Sequence, residues 1–329
     1  MLGPDDGAWA AQALGVTASG TFEHGGSTLR RLAEPSARLD DVLARLHEAR
    51  GDRPQPGRDD KVVAAWNGLA VAALAETGAL LDRPDLVEAA ERAAGLLLDV
   101  HVVDGVLRRV SRDGVVGSPA GTLEDHGDVV EGLLALHACT GAARWLTAAG
   151  ALVEAVRDRF WHGGAGFSDT PDDDVDERLR TASGGVRRPA DPADNAHPSG
   201  PSAAAGALVS WFALTGDDSV LEPATWALDA ARRVAGGAPR FAGWGLAVAE
   251  ALLDGPREVA VVGAPGAERD ALVRTALRST APGLVLGIGE PDAEPVVPLL
   301  ADRGARDGRP TAYPCRGGVC ERRSATRPR

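Results

Sequence analysis

The chain has 329 residues, 44% hydrophobic and 25% charged, an ordinary globular balance that can bury a sizeable core without disulfide or metal staples. Lys and Arg total 35 against 47 Asp and Glu, and the resulting net charge of −12 argues against a nucleic-acid partner, which calls for a basic stripe. Cys139, Cys315 and Cys320 are too few for a disulfide framework, Met1 to Ala10 lacks the regions of a signal peptide, and no run approaches the ~18 uninterrupted apolar residues of a membrane helix, so the cytoplasm is the expected compartment.

In chain order, Ser36–Arg50 predicts a helix with Ser36 as its N-cap, followed by a Pro-rich connector over Gly51–Gly57. Three Ala/Leu/Val-rich segments then align on a Thr-Gly pair: Trp66 to Thr77-Gly78, Asp128 to Thr140-Gly141, and Ser202 to Thr215-Gly216. Their scarcity of charge predicts helices buried on most sides, each closed by a glycine in the left-handed conformation. A more amphipathic helix follows each one, over Pro84–Val100, Arg144–Phe160 and Ser219–Val234. The unit is an inner helix, a short turn and an outer helix. Short β-excursions are predicted at Asp104–Arg109 and Gly163–Asp169, and Asp172–Glu177 reads as a solvated acidic loop. Ala242–Asp254 predicts one more inner helix.

The pattern changes at Pro256. Glu258–Gly263 and Gly283–Ile288 read as buried strands flanking a helix over Glu268–Ser279. A helical Pro295–Arg303 and a strand over Thr311–Cys315 complete a βαβ-like lobe. The expected domains are a helical-hairpin portion over 1–255, the small lobe over 256–320, and a frayed tail over 321–329.

Inner helices of such a toroid run roughly parallel, so their N-termini and positive dipole ends should converge on one funnel. Three clusters fall there: Asp59-Asp60-Lys61 with Trp66-Asn67-Gly68, then Glu124-Asp125-His126, then Asn195-Ala196-His197-Pro198-Ser199-Gly200. Lys61 is the sole lysine, read either as a place where a compact ammonium is wanted or as a chance survivor in an arginine-rich composition. Glu124, Asp125, His126 and His197 are the candidate acid–base residues. Asp59, Asp60, Lys61, Trp66, Asn67 and Ser199 are the candidate ligand contacts. The competing reading is structural: helix capping for the carboxylates and Asn67, core packing for Trp66 and the histidines. Cys315 and Cys320 have neither the spacing of a redox motif nor further zinc ligands, and read as a structural or incidental pair. No metal or cofactor motif is complete.

Asp59-Asp60-Lys61-Val-Val-Ala-Ala-Trp66-Asn67-Gly68-Leu69, Leu123-Glu124-Asp125, Pro198-Ser199-Gly200 and Ala312-Tyr313-Pro314-Cys315-Arg316-Gly317, with the early Leu14-Gly15-Val16-Thr17 and Gly20-Thr21-Phe22-Glu23, carry a resemblance. In that order they resemble the thioredoxin domain-containing, spermatogenesis-associated-protein-like family. The family usually has Tyr where His126 stands. The resemblance implies a mainly α, six-hairpin glycosidase-like (α/α)6 barrel related to N-acylglucosamine 2-epimerases, with a small C-terminal α/β lobe. It also implies that this chain lacks the family's thioredoxin-like domain and first barrel hairpins, so that the barrel is incomplete.

Two functional expectations follow. One is a carbohydrate-metabolic role, epimerase- or glycosidase-like, on a small carbohydrate-like ligand at the inner-helix mouth, without cofactor, nucleic acid or membrane. The other is a non-catalytic scaffold or binding piece that self-associates or assembles with a separately encoded N-terminal half. An isoprenoid-type α/α toroid ranks below both, because aromatics are only 4% and no Asp-rich motif opens a helix.

Overall fold

The computed structural model describes residues 1–172, 190–291 and 293–320. Most of the acidic loop (173–177) and the tail (321–329) lie outside them. Contacts divide the chain into two units, Met1–Asp59 and Asp60–Arg329.

The first unit holds helices α1 (Gly3–Ala13) and α2 (Ala37–Gly51). Ser36 caps α2 as the sequence predicts, its hydroxyl accepting from Leu39 N at 3.2 Å. Asp6 on α1 binds Arg38 and Arg45 on α2 at 2.9 and 2.8 Å, and these guanidinium hydrogen bonds hold its carboxyl below the usual range.

The second unit opens with strand β1 (Val62–Val63) and helices α3 (Ala64–Leu81) and α4 (Pro84–Leu96). Four short strands follow: β2 (Val102–Val103), β3 (Val106–Leu107), β4 (Val110–Arg112) and β5 (Val115–Val116). The next two hairpins are α5 (Leu123–Thr140) with α6 (Ala143–Arg159), and α7 (Gly200–Thr215) with α8 (Leu221–Gly237). Helix α9 (Gly243–Asp254) is the last of this series. The architecture is mainly α. Helices α3, α5, α7 and α9 pack side by side as inner helices, and α4, α6 and α8 back them, in the alternation of an (α/α) barrel.

Small residues set the spacing of the inner layer. A Cβ on Gly68 of α3 would sit 2.4 Å from the Asp128 carbonyl oxygen on α5, and one on Gly127 would sit 2.6 Å from the Ala203 backbone on α7. The backbones touch because no side chain intervenes. Helix α3 is long and apolar enough to cross a membrane by length and composition; in this fold it packs against α4 and α5.

Strands β6 (Arg257–Val262), β7 (Val285–Gly289), β8 (Thr311–Arg316) and β9 (Val319–Cys320) form a sheet of order β7-β6-β8-β9. Helix α10 (Ala267–Leu277) crosses from β6 to the parallel β7, the expected βαβ unit. Val262, Val285 and Tyr313 of the lobe share one core with α5 and α7. The lobe lies at the C-terminal ends of the inner helices: Ile288 abuts Gly141 just after α5, and Gly283 abuts Ala251 on α9. The N-termini of the inner helices are at the opposite end. Cys315 and Cys320, paired across β8 and β9, form a disulfide.

Three helix ends depart from expectation. Gly141 and Gly216 close α5 and α7 in the left-handed conformation, but Gly78 stays inside α3, which ends at left-handed Asp82. A Cβ on Gly78 would meet Val87 at 2.7 Å, so that glycine serves the tight α3–α4 hairpin rather than termination. Helix α4 stops at Leu96, and Leu97–His101 widens into a π-turn. Within Pro295–Arg303 only Pro298–Leu300 is helical, as a single 3-10 turn.

Candidate functional site

The starts of α3 and α5 lie side by side, and Glu124 of the second cluster lies near His197 of the third. Asp125, fully buried at the start of α5, takes four hydrogen bonds. Its Oδ1 accepts from Ala65 N of α3 at 3.0 Å, and its Oδ2 accepts from Thr122 N (2.8 Å), Thr122 Oγ1 (2.9 Å) and Arg109 Nη1 (2.9 Å). Thr122 and Asp125 form a reciprocal capping box. Asp194 has a similar role at the next pair of helices. Its Oδ1 accepts from Ser199 N at 2.9 Å, and its Oδ2 from Trp244 N of α9 at 2.9 Å. Two buried carboxylates thus tie the N-termini of α3 to α5 and of α7 to α9.

Glu124 and His197 meet between these ties. The His197 Nδ1 lies 3.3 Å from Glu124 Oε1. The start of α7 lies close to that of α5: a Cβ on Gly200 would crowd Asp169 Oδ1 at 3.2 Å and Glu124 N at 3.4 Å. Burial raises the Glu124 carboxyl above its ordinary value; His197 and Arg109 oppose the shift, while Asp125 and Asp169 add to it. Two more acids continue the stripe down α5, Asp128 one turn below Glu124 and Glu131 another turn below. Burial, reinforced by Glu124 and Glu131, pushes Asp128 up to about 8. Burial and the neighbouring Glu76 push Glu131 up to about 7. A carboxyl held protonated near neutral pH can donate a proton or a hydrogen bond, the property a general acid requires.

The remaining sequence candidates take other roles. His126 is turned into the core: its Nδ1 lies 2.8 Å from the Thr122 carbonyl oxygen, its ring packs edge-on against Phe160 at 4.8 Å, and burial lowers it to about 4. It lines no mouth, because the next position around α5 from Asp125 faces the outer layer. Ser199 caps α7, its hydroxyl accepting from Ser202 N. Asn67 Nδ2 donates to the Val63 carbonyl at 2.8 Å, a bond at the start of α3. Asp60 lies 3.8 Å from Arg112. Lys61 is exposed, and Trp66, at 58% exposure, is not a core residue. Asp59 belongs to the first unit.

Arg109, Asp128, Asp169 and Asp194 were not among the sequence candidates. Asp128 carried a signal, its i+4 spacing from Glu124. Arg109 and Asp169 sit in loops that only the tertiary fold brings to α5. Among the described residues no group of three His, Cys, Asp or Glu is placed to hold a metal ion.

No protein-family model matches the chain. It is 29% identical over 304 residues to human spermatogenesis-associated protein 20, covering 86% of this chain and 37% of that protein. It is 34% identical over 192 residues to the rat protein of the same name, covering 55% of this chain and 23% of that one. The chain therefore spans well under half the length of these curated relatives. Solved structures similar to it include a cellobiose 2-epimerase from Spirochaeta thermophila, with TM-score 0.45 and 17% identity, covering 60% of this chain and 55% of that one. Another is a cellobiose 2-epimerase from Bacillus thermoamylovorans, with TM-score 0.43 and 10% identity, covering 53% and 45%. The chain is thus similar in sequence to spermatogenesis-associated protein 20 over the region of those proteins that it spans.

Proposed function

We propose that the inner-helix mouth binds a small, neutral, polyhydroxylated ligand of carbohydrate type and acts on it by proton transfer through Glu124 and His197, in the cytoplasm. The observation that carries this reading is the contact between a carboxyl raised by burial and a half-buried imidazole, at the one end of the inner helices that the lobe leaves uncovered. Glu124 donates a proton to a ligand carbonyl oxygen while His197, 3.3 Å away, takes one from the adjacent carbon; in the reverse step the carbon regains a proton from His197 and the oxygen returns its proton to Glu124. Exposed Trp66 at the start of α3 offers a flat apolar face to a sugar ring. The buried carboxylates Asp125 and Asp194 hold the helix ends rigid and do not touch the ligand.

The test is a screen of mono- and disaccharides by thermal unfolding, followed by exchange of sugar C–H protons with deuterated water. A ligand bound only by the folded chain raises Tm by mass action. The reading expects a saturable rise with at least one sugar, and loss of both binding and exchange in Glu124→Gln. If no sugar shifts Tm and no proton exchanges, the reading fails.

A second reading is supported by the partial coverage of the relatives: the chain is a binding or scaffold portion completed by further hairpins. Saturable sugar binding with no proton exchange in the chain alone, and exchange restored on adding the remaining region of a relative, would favour it.

A further inference from the structure

Glu131 lies two turns deeper on α5 than Glu124, toward the lobe, and the chemistry at the mouth does not use it. Its Oε2 is shut off from solvent and has no hydrogen-bond partner. Burial and the negative charge of Glu76 act on it, and among the described residues no cation offsets them. An uncompensated buried carboxyl is costly, and such groups are generally paired or ligand-bound.

The carboxyl borders a cavity of about 160 Å³ between α5, α7 and α9. Val209, Ser210, Trp244, Ala247 and Pro282 are part of its wall, and the lining contains no Lys, Arg or His. Gly206 makes room for the Trp244 indole, since a Cβ there would lie 2.9 Å from its Nε1. The polar side-chain groups are one acid, one hydroxyl and the Trp244 indole N–H, which is buried without a hydrogen-bond partner; the rest is aliphatic or aromatic. A sugar would need several converging donors and acceptors, which this wall does not supply. A compact cation with an apolar body matches it: the charge meets the carboxylate, and the carbons meet the indole and small aliphatic residues.

We propose that this cavity is a binding site for a small organic cation of the alkylammonium class, with Glu131 as its counter-charge and Trp244 as its aromatic wall. The site is separate from the mouth and does not depend on the carbohydrate reading.

The probes are methylammonium and tetramethylammonium chloride, with sodium chloride at equal ionic strength and tert-butanol as an uncharged counterpart. Thermal unfolding of the full chain should show a saturable rise in Tm with at least one alkylammonium ion and none with the controls. Glu131→Gln keeps the shape and removes the charge; it should weaken the midpoint about tenfold, equivalent to about 1.4 kcal/mol. Ala247 is exposed at the cavity edge, so Ala247→Leu fills the space while leaving the fold and the carboxyl intact, and it should weaken binding likewise. Loss of the response in either folded variant supports the site. No saturable shift, an equal shift with tert-butanol or sodium chloride, or a response retained in both variants overturns it.

Discussion

The Asp125 carboxylate on α5 accepts a hydrogen bond from the backbone of Ala65, 60 positions earlier, in the first turn of α3. Asp194 makes the matching link from α7 to α9. Adjacent inner helices thus share carboxylates at their positive ends. Each acid satisfies N–H groups that a lone helix would leave open, and each opposes the helix dipoles with negative charge.

Asp125→Ala leaves the N–H groups of Ala65 and Thr122 without acceptors and removes the ion-pair partner of Arg109, which keeps its bond to Thr122 Oγ1. Each buried N–H group left without an acceptor costs about 1–3 kcal/mol, so the two together cost about 3 kcal/mol. Urea unfolding should show that loss. Arg109 is partly exposed, so Arg109→Ala should cost less. Equal costs would refute the view that backbone N–H groups, not the ion pair, dominate this tie.

The Gly68 contact gives a sharp contrast. Gly68→Ala places a methyl group 2.4 Å from a backbone oxygen of α5, which can yield only if the helices separate. Overpacking of this kind costs about 3 kcal/mol. Gly95 in α4 has nothing within 4 Å of its virtual Cβ, so Gly95→Ala should stabilise the chain by about 0.5–1 kcal/mol through helix propensity. Calorimetry of the pair checks both signs.

The buried acids predict a falling stability on the alkaline side. Asp128 ionises near 8 in the folded chain against 3.8 as a free side chain, and Glu131 near 7 against 4.5. Their folded values are raised, so their contribution is intact below about pH 4 and is lost as pH climbs through 7 and 8. An Asp128→Asn, Glu131→Gln double variant should flatten this decline and gain at least about 2 kcal/mol at pH 8.5 relative to pH 5. An unchanged pH profile would show that these carboxyls are solvated.

His126 predicts the acid-side behaviour. Its folded value near 4 lies below the ordinary 6.5, so the unfolded chain takes up the proton first. Its contribution is complete above about pH 6.5 and is lost as pH falls toward 4. His126→Phe, which fills the same space against Phe160, should remove that share of the acid sensitivity. Two-dimensional NMR of the His126 ring gives the titration directly, and a midpoint near 6.5 would show an exposed imidazole.

The hairpin series was legible in the sequence because its signals are local. Gly141 and Gly216 follow apolar runs, and each takes the left-handed turn that ends its helix. The mouth was legible in outline, because parallel inner helices must bring their N-termini together. The roles inside it were not. Asp125 and Glu124 are neighbours in sequence and equally acidic, yet one is consumed by four hydrogen bonds and the other meets a histidine across the mouth. The 100° step between consecutive helix positions aims the two side chains at different surroundings.

Composition and period by themselves determined that this chain makes buried and amphipathic helices in alternation, followed by a βαβ lobe, since burial pattern and turn chemistry act over a few residues at a time. Only the tertiary structure decided which acids are braces, which meet a histidine and which stand over a cavity. Those roles depend on partners 60 or more residues away, such as Ala65 for Asp125 and His197 for Glu124, and on how far burial separates each carboxyl from water.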